Sequence, residues 1–454
     1  MTGSVHSGLT AGPPAGKALE KEYTVPDGVE IELKSRAVRY RETGSFSVPP
    51  AETVSRVNGV AEKIGIDSVE QVDPGITDGV PIFRVNNAAH RAKCHRALYL
   101  WASPPAPLNR PPRENYGKGM TTHQSRASAM MEAVERYCGQ RFAHHRVIRA
   151  DYREVRDIAV DPAEFRFPAP PPKCTGCPAG ARMCFRDLGR LCREWSWGYS
   201  LARNEPVLVP AAVVYYPYLS ADNLSFMFND TGGLAAGNTI EEAVVQGMAE
   251  IIERDSLYQA FNLEKLESMQ SIDLSGAGSP LIQKFIRGAL PAENIYAFRI
   301  INEKLGPDIS TFTAFICYRN GSGRRYFGGS GTSLDPQAGL LRALTEMEQQ
   351  KVRQKVTGAL DPGDLARHGL PRPGKGISLN NLANCSAGDI KSDIELYLER
   401  FKEKDMDVIA VNLTHPEIGI PVVRVVIPRL IAYSGSLVKE SVLVEMMGGI
   451  HWDC

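Results

Sequence analysis

The chain has 454 residues, 43% apolar and 23% charged, which is the composition of a globular protein with two or three domains or one large unit with internal duplication. Lys plus Arg balance Asp plus Glu at 52 each, which argues against a general nucleic-acid binder, since phosphate contacts demand a basic excess. No run of about 18 apolar residues is present and the N-terminus lacks the apolar core of a signal peptide, so no membrane span is expected; nine cysteines, an odd number, then read as reduced thiols of a cytoplasmic protein.

Residues 1–20, rich in Gly, Pro, Ala and Ser, read as a flexible tail. Segment 49–65 opens on prolines and continues with helical spacing, and a second Pro-rich stretch lies at 104–113. Ala127, Met130, Met131, Val134 and Cys138 recur at three and four residues, which predicts an amphipathic helix over 121–141. A third Pro-rich run, 168–173, opens a Cys-rich insert reaching 195, and REWSWGYSL alternates around Trp195 and Trp197 as a strand would. Val207–Tyr216, Ile295–Ile301, Thr311–Tyr318, Asp407–Leu413 and Pro421–Ile427 are rich in Val, Ile, Phe and Tyr and read as strands. A second helix is predicted over 240–258, with Val244, Met248, Ile251 and Ile252 on its apolar side. A third starts at Asp335-Pro336, an N-cap followed by proline at the first helical position, with Leu340, Leu341, Leu344 and Met347 as its core face. Segment 360–376 has the Gly and Pro of a loop, and 391–404 the spacing of another amphipathic helix.

The three central helices carry the chemistry. The first contains Ser128-x3-Glu132-x2-Glu135-Arg136, the second Glu242, Gln246 and Glu250-x2-Glu253-Arg254, the third Arg342-x3-Glu346-x2-Gln349. Residues three or four apart share a helix face, so each set forms a stripe. Adjacent carboxylates repel unless a cation or Arg lies between them. Two such helices facing each other would make a cage of hard oxygen ligands suited to Mg2+, with the neighbouring arginines free to grip phosphate. A single ExxER is the ordinary pattern of a solvated helix face, and Thr239-x-x-Glu242 is a capping box that needs no ligand. Two copies, a third Arg/Glu helix and the glycine-rich lead-ins Gly117-Lys118-Gly119 and 231–239 keep the nucleotide-metal reading level with that one.

These residues also resemble a known family. GKGMTTHQSRASAMMEAVERY, GGLAAGNTIEEAVVQGMAEIIERD and GSGTSLDPQAGLLRALTEMEQQ are similar, in order and interval, to the three ATP-binding motifs of YcaO-domain proteins. The resemblance runs from about 40 to 430 and implies an α+β fold peculiar to the family, with mixed and antiparallel sheets and glutamate-bearing helices around the nucleotide. Residues 21–454 would then be the catalytic domain. It implies ATP- and Mg2+-dependent phosphorylation of a peptide amide oxygen, followed by displacement of phosphate by a nucleophile. By motif position it makes Ser128, Arg136, Asn238, Glu242, Arg254, Arg342 and Glu346 ATP contacts, with Lys118 and Gln124 beside them. It makes Glu132, Glu135, Glu250 and Glu253 the Mg2+ ligands, and Glu135, Glu250, Arg342 and Glu346 central to catalysis. The sequence departs from the pattern at Gly44–Ser47, where a Thr-His-Arg-like run is common and where Lys34 or Arg41 could substitute, and at Ser333 and Lys351, where His and Arg are common.

The C-terminal Gly448–Cys454 lacks the proline-rich tail of azoline-forming members. That directs the expectation to the archaeal members that work with TfuA, in which sulfide converts a glycine, as in methyl-coenzyme M reductase, to a thioglycine. The implied partners are a peptide or protein substrate, a TfuA-like protein and a sulfide donor; homodimers are common in the family. Azoline formation on a ribosomal peptide, and a non-catalytic ATP-binding scaffold, are the alternatives. A di-iron carboxylate bundle is disfavoured, because Glu135 and Glu253 stand where that class has His.

Cys174, Cys177, Cys184 and Cys192 lie within one insert and suffice for a tetrahedral Zn2+ site. The same four suit ordinary surface thiols or a sulfur relay. His123, His145 and His451 have no ligand spacing.

Overall fold

The computed structural model describes residues 23–41, 44–72, 80–87, 114–165, 194–218, 231–262, 265–275, 279–288, 295–320, 323–357 and 376–432. The tail 1–20, the cysteines of the insert, most of the 360–376 loop and His451 lie outside them.

Three sheets organise the chain. The first is antiparallel, β1 (Ser68–Val72), β2 (Ile82–Asn86) and β3 (Glu114–Lys118), in that order. The second runs β4 (Ile148–Arg149), β5 (Glu194–Ser200), β13 (Ile409–Asn412), β14 (Val422–Val426), β7 (Leu234–Ala236), with β6 (Glu205–Pro210) also paired to β5. The third runs β11 (Gly323–Ser333), β10 (Ser310–Asn320), β9 (Ile295–Ile301), β8 (Met269–Asp273), β12 (Ile377–Ser378), antiparallel except for the parallel β8–β12 pair. The expected mixture of helix with antiparallel and mixed sheets is what is found.

The eight α-helices of the described residues are α1 (Pro50–Asn58), α2 (Thr122–Cys138), α3 (Tyr152–Val155), α4 (Ala211–Val214), α5 (Ile240–Leu257), α6 (Pro280–Gly288), α7 (Pro336–Thr357) and α8 (Ile390–Lys402). The second and third central helices start where their caps predict, and the first, expected from 121, starts at Thr122 with Thr121 as its cap. Thr121 and Thr239 each accept a hydrogen bond from the backbone three residues on, and Asp335 accepts from Gln337 N at 2.9 Å. The predicted apolar stripes of α5 and α7 are buried. The expected strand Val207–Tyr216 ends at Pro210, and Ala211–Val214 turns as a helix. Pro210 sits at this boundary as the last strand residue and the first cap, where its fixed φ suits the turn.

Each sheet separates two of the three central helices. Val422 and Val426 of β14 join the core of α2, whereas Val423 and Val425 join that of α5, as side chains alternate along a strand. The five-stranded sheet stands between α5 and α7. In the first sheet Phe83 and Val85 pack with α2, and Ile82 and Tyr116 pack with α7. The edge strands β3, β7 and β11 each lead by a short turn into one helix, α2, α5 and α7, so the three edges and three helices meet in one cleft.

Close strand-to-helix contact depends on glycine. A Cβ on Gly117 would lie 2.1 Å from Ala129 N of α2, and one on Gly329 would lie 2.2 Å from Met347 N and 2.3 Å from Ala343 O of α7. These obstacles are backbone and cannot rotate away. Gly329→Ala should therefore destabilise the fold by about 2 kcal/mol, read as a lower urea midpoint at unchanged slope; an unchanged midpoint would contradict the close packing.

Candidate active site

The cleft gathers acids and bases from all three helices. On α2, Glu132 Oε1 accepts from Arg136 Nη2 at 3.3 Å, and Glu135 lies 3.8 Å from Arg136 Nη1. On α5, Glu250 accepts from Arg254 Nη2 at 3.3 Å. Burial pushes the Glu135 carboxyl well above its ordinary range. Arg136 opposes this, Glu250 and Glu132 add to it, and Arg424 opposes it. Glu250 of α5 is thus near enough to Glu135 of α2 for its charge to be felt there.

A second group lies between α5 and α7. Lys118 Nζ donates to Glu346 Oε2 at 2.5 Å, and Arg342 Nη1 donates to Gln246 Oε1 at 2.6 Å. Burial, followed by the Glu346 charge, raises the Glu253 carboxyl, against the pull of Arg254 and Arg342 and the Ser330 hydrogen bond. Glu346 goes the other way: burial is its largest influence, but Lys118, Arg254 and Arg342 together outweigh it and hold the carboxyl low. Arg254 joins the two groups, paired with Glu250 and acting on Glu253 and Glu346. The end of β3 closes the third side. Tyr116 N donates to Glu132 Oε2 at 3.2 Å, and Gln349 Nε2 donates to Tyr116 O at 2.5 Å.

Among the described residues, the Nε atoms of Arg136 and Arg342 are buried without a hydrogen-bond partner. A buried donor left unmade is costly, so these guanidinium groups have donor capacity to spare for an acceptor entering the cleft. Buried or half-buried like charges on one side and guanidinium donors on the other are the complement of an anionic ligand carrying a divalent cation.

Comparison with known proteins decides which family this cleft belongs to. A family model described as YcaO cyclodehydratase, ATP- and Mg2+-binding, matches residues 116–431. The chain belongs to the YcaO family. A protein of Methanothermobacter thermautotrophicus is 29% identical over 409 residues, covering 86% of this chain and 95% of its own. A Rhizobium leguminosarum bv. trifolii protein of the tfuA 3' region is 25% identical over 340 residues, 69% of this chain and 76% of its own. The structure of YcaO from Methanopyrus kandleri bound with AMPPCP and Mg2+ shares the fold, with a TM-score of 0.60, 24% identity, and coverage of 86% of this chain and 93% of that one. A heterocyclase in complex with substrate and cofactor has a TM-score of 0.70 at 22% identity, over 92% of this chain and 57% of that one. YcaO proteins are ATP-dependent peptide-modifying enzymes, and ATP and Mg2+ are the cofactors of this family member.

The donor set fits a hard divalent cation, since the cleft offers carboxylate oxygens, and Glu135 is repelled by both Glu132 and Glu250. In the present arrangement, however, no three His, Cys, Asp or Glu side chains of the described residues form a coordinating group. The carboxylates fall into the α2–α5 set and the α5–α7 set, with Arg136 and Arg254 lying on Glu132 and Glu250. Ser128, half-buried, stands one turn before Glu132 on α2.

Asn238 and Glu242 are brought to the same end of α5 but are engaged with protein. Glu242 Oε1 accepts from Ser47 N and Ser47 Oγ, both at 2.7 Å, and Oε2 accepts from Asn238 N and Nδ2, both at 2.9 Å. Asn238 Oδ1 accepts from Thr53 Oγ1 at 2.9 Å. The anticipated capping box is thus half formed. Thr239 caps Glu242 N at 3.2 Å, but the Glu242 carboxylate reaches one residue further back, to Asn238 N. Gln124 caps the β3–α2 lead-in, accepting from Met120 N at 2.7 Å.

The departures from the family pattern also find places. Ser47 stands in the divergent run and secures Glu242. Lys34 turns its ammonium to Glu32 in solvent, 3.6 Å away, while its backbone N–H donates to Glu241 at 2.7 Å. Lys351 is buried against Glu348 at 2.6 Å, on the side of α7 opposite Arg342. His145 packs with His144 and Tyr215, and burial followed by its neighbouring cations pushes it down to about 4. Cys138 is a core residue whose thiol is pushed up to about 12 by burial.

Sequence reasoning missed Ser330 and Arg424. Ser330 Oγ donates to Glu253 Oε1 at 2.7 Å. Arg424, buried in the middle of β14, acts on Glu135. An arginine inside the run PVVRVVIP breaks an otherwise apolar strand and is the signal that was available.

A carboxyl whose proton affinity rises on folding supports the fold fully below its unfolded-state pKa and loses that contribution as pH rises through its folded value. Glu135 is such a group. Glu135→Gln should make the nucleotide-free protein more stable than wild type by about 1 kcal/mol near neutral pH. The gap should widen as pH rises above the ordinary carboxylate range. Urea unfolding at several pH values checks this, and a gap that narrows with rising pH would contradict it.

Proposed function

We propose that this chain uses ATP to phosphorylate a backbone amide oxygen in a peptide or protein, and that sulfide then replaces the phosphorylated oxygen to give a thioamide at glycine. The observation that carries the phosphoryl step is the gathering of mutually repelling, buried or half-buried carboxylates beside the guanidinium groups of Arg136 and Arg342, each of which keeps an unpaired Nε donor. Sulfide and a TfuA-like partner are supported by the relative from the tfuA 3' region. They are supported also by the near full-length match to archaeal proteins, 95% and 93% of their chains.

In this reading Glu132, Glu135, Glu250 and Glu253 hold Mg2+, which when bound screens the phosphate charges and supplies Lewis-acid stabilisation of the transferring group. Arg136 and Arg254 leave Glu132 and Glu250 and grip phosphate oxygens, because a guanidinium matches phosphate bidentately. Arg342, fixed by Gln246, and Lys118, fixed by Glu346, bring positive charge to the phosphoryl group in transfer. Glu346, held ionised, keeps Lys118 and Arg342 oriented. Asn238 and Glu242 form the wall beside the nucleotide, and Ser128 lines α2 opposite them. The amide oxygen bonds to the γ-phosphorus as ADP leaves; sulfide adds to the amide carbon, and phosphate departs with the original oxygen. Residues 21–454 act as one catalytic unit.

The test is mass spectrometry of glycine-containing peptides, including those of methyl-coenzyme M reductase, incubated with the protein, ATP, Mg2+, a sulfide source and a TfuA-like protein. The expected product carries one oxygen-to-sulfur exchange at glycine. Glu250→Gln should lower ATP turnover more than about a hundredfold with the fold intact. Loss of water without sulfur gain would replace the thioamide with an azoline, and nucleotide binding without turnover by the wild-type mixture would make the chain a scaffold.

A further inference from the structure

The face of β10–β11 turned toward α5 carries a patch of hydroxyls beside the hydrocarbon of Phe298, Ile300 and Phe315. In the β10–β11 ladder Thr311 pairs with Thr332 and Thr313 with Ser330. Residues two apart share a face, so these four side chains lie together. All four are buried. The opposite face of the same strands, with Phe312, Ala314, Gly329 and Gly331, lies against α7. A hydroxyl without a partner in such a place would be costly, and an ordinary helix-on-sheet contact would use Val or Leu.

The hydroxyls divide into two groups. Thr311 and Thr332 bond each other at 2.7 Å, and Thr311 reaches Ser256 Oγ at 3.2 Å. Ser256 in turn accepts from Asn302 Nδ2 at 3.1 Å, which also donates to Asp255 at 2.9 Å. This branch ends in structural contacts. Thr313 Oγ1 donates to Gly329 O at 3.2 Å. Ser330 alone of the four bonds a carboxylate of the cleft, Glu253 Oε1 at 2.7 Å.

We propose that Ser330 is a positioning residue that fixes the Glu253 carboxylate so that it presents its ligating edge to Mg2+. The hydroxyl donates to one carboxylate oxygen and removes the rotation about the terminal torsion that a lone glutamate would retain. Hydrogen-bonded partners of ligating carboxylates set ligand orientation and affinity in this way. The inference rests on the proposed placement of Glu253 at the metal.

Isothermal titration with AMPPCP at fixed Mg2+ separates the two. Wild type should bind. Ser330→Ala should weaken binding about tenfold, with the nucleotide-free protein still unfolding in one cooperative transition. Ser330→Thr, which keeps the hydroxyl, should stay near wild type. Thr332→Val should lower the thermal midpoint while leaving affinity alone, because its partners are structural. Affinity in Ser330→Ala equal to wild type, or equal losses in Ser330→Ala and Ser330→Thr, would overturn the proposal while leaving the metal site standing. Failure of wild type to bind would overturn both.

Discussion

The arrangement of this protein depends on one electrostatic constraint: carboxylates from three helices are gathered, buried or half-buried, along one cleft. Glu135 is repelled by Glu132 of its own helix and by Glu250 across the α2–α5 gap, and Glu253 by Glu346 across the α5–α7 gap. Such a cluster is stable only with cations among its members. Arg136, Arg254, Arg342 and Lys118 supply them from within the chain, at a net attraction that is small because both partners are desolvated. Charge held in this way can be exchanged. A divalent cation can take over the carboxylates, and the freed guanidinium groups then face a polyphosphate.

The fold serves that constraint by making the same unit three times. An edge strand, a short capped turn and a helix recur as β3–α2, β7–α5 and β11–α7, and a sheet stands between each pair of helices. Helices on opposite faces of a sheet meet only past its edge strand, which is where the charged stripes emerge. Gly117 and Gly329 bring strand and helix to backbone contact, so the stripes are registered against strand atoms rather than cushioned by side chains. Tyr116 N on Glu132 and Ser330 on Glu253 show the consequence, as strand groups set the orientation of helix carboxylates.

Much of this was legible in the sequence because helix signals are local. Thr121, Thr239 and Asp335 announce caps, three- and four-residue spacing gives the apolar faces, and the glutamate stripes follow from the same period. The membership of Lys118 in the cleft with Glu346, 228 residues away, was legible only through its motif. What the sequence hid depends on contacts distant along the chain. Glu242 looked like half of a capping box, but Ser47 and Asn238 draw its carboxylate elsewhere. The polar face of β10–β11 was written in the alternation Thr311-x-Thr313 and Ser330-x-Thr332, yet its meaning required knowing that α5 lies upon it. Lys351, in a motif where an outer nucleotide contact was expected, turns into the core because the helix period places it opposite Arg342.

The most direct test is a crystal structure of the chain with AMPPCP and Mg2+. The account predicts Mg2+ bound by glutamates of both α2 and α5, with Arg136 and Arg254 moved from Glu132 and Glu250 onto phosphate oxygens. Nucleotide bound outside the cleft, or bound within it while both arginines stay on their glutamates, would contradict it.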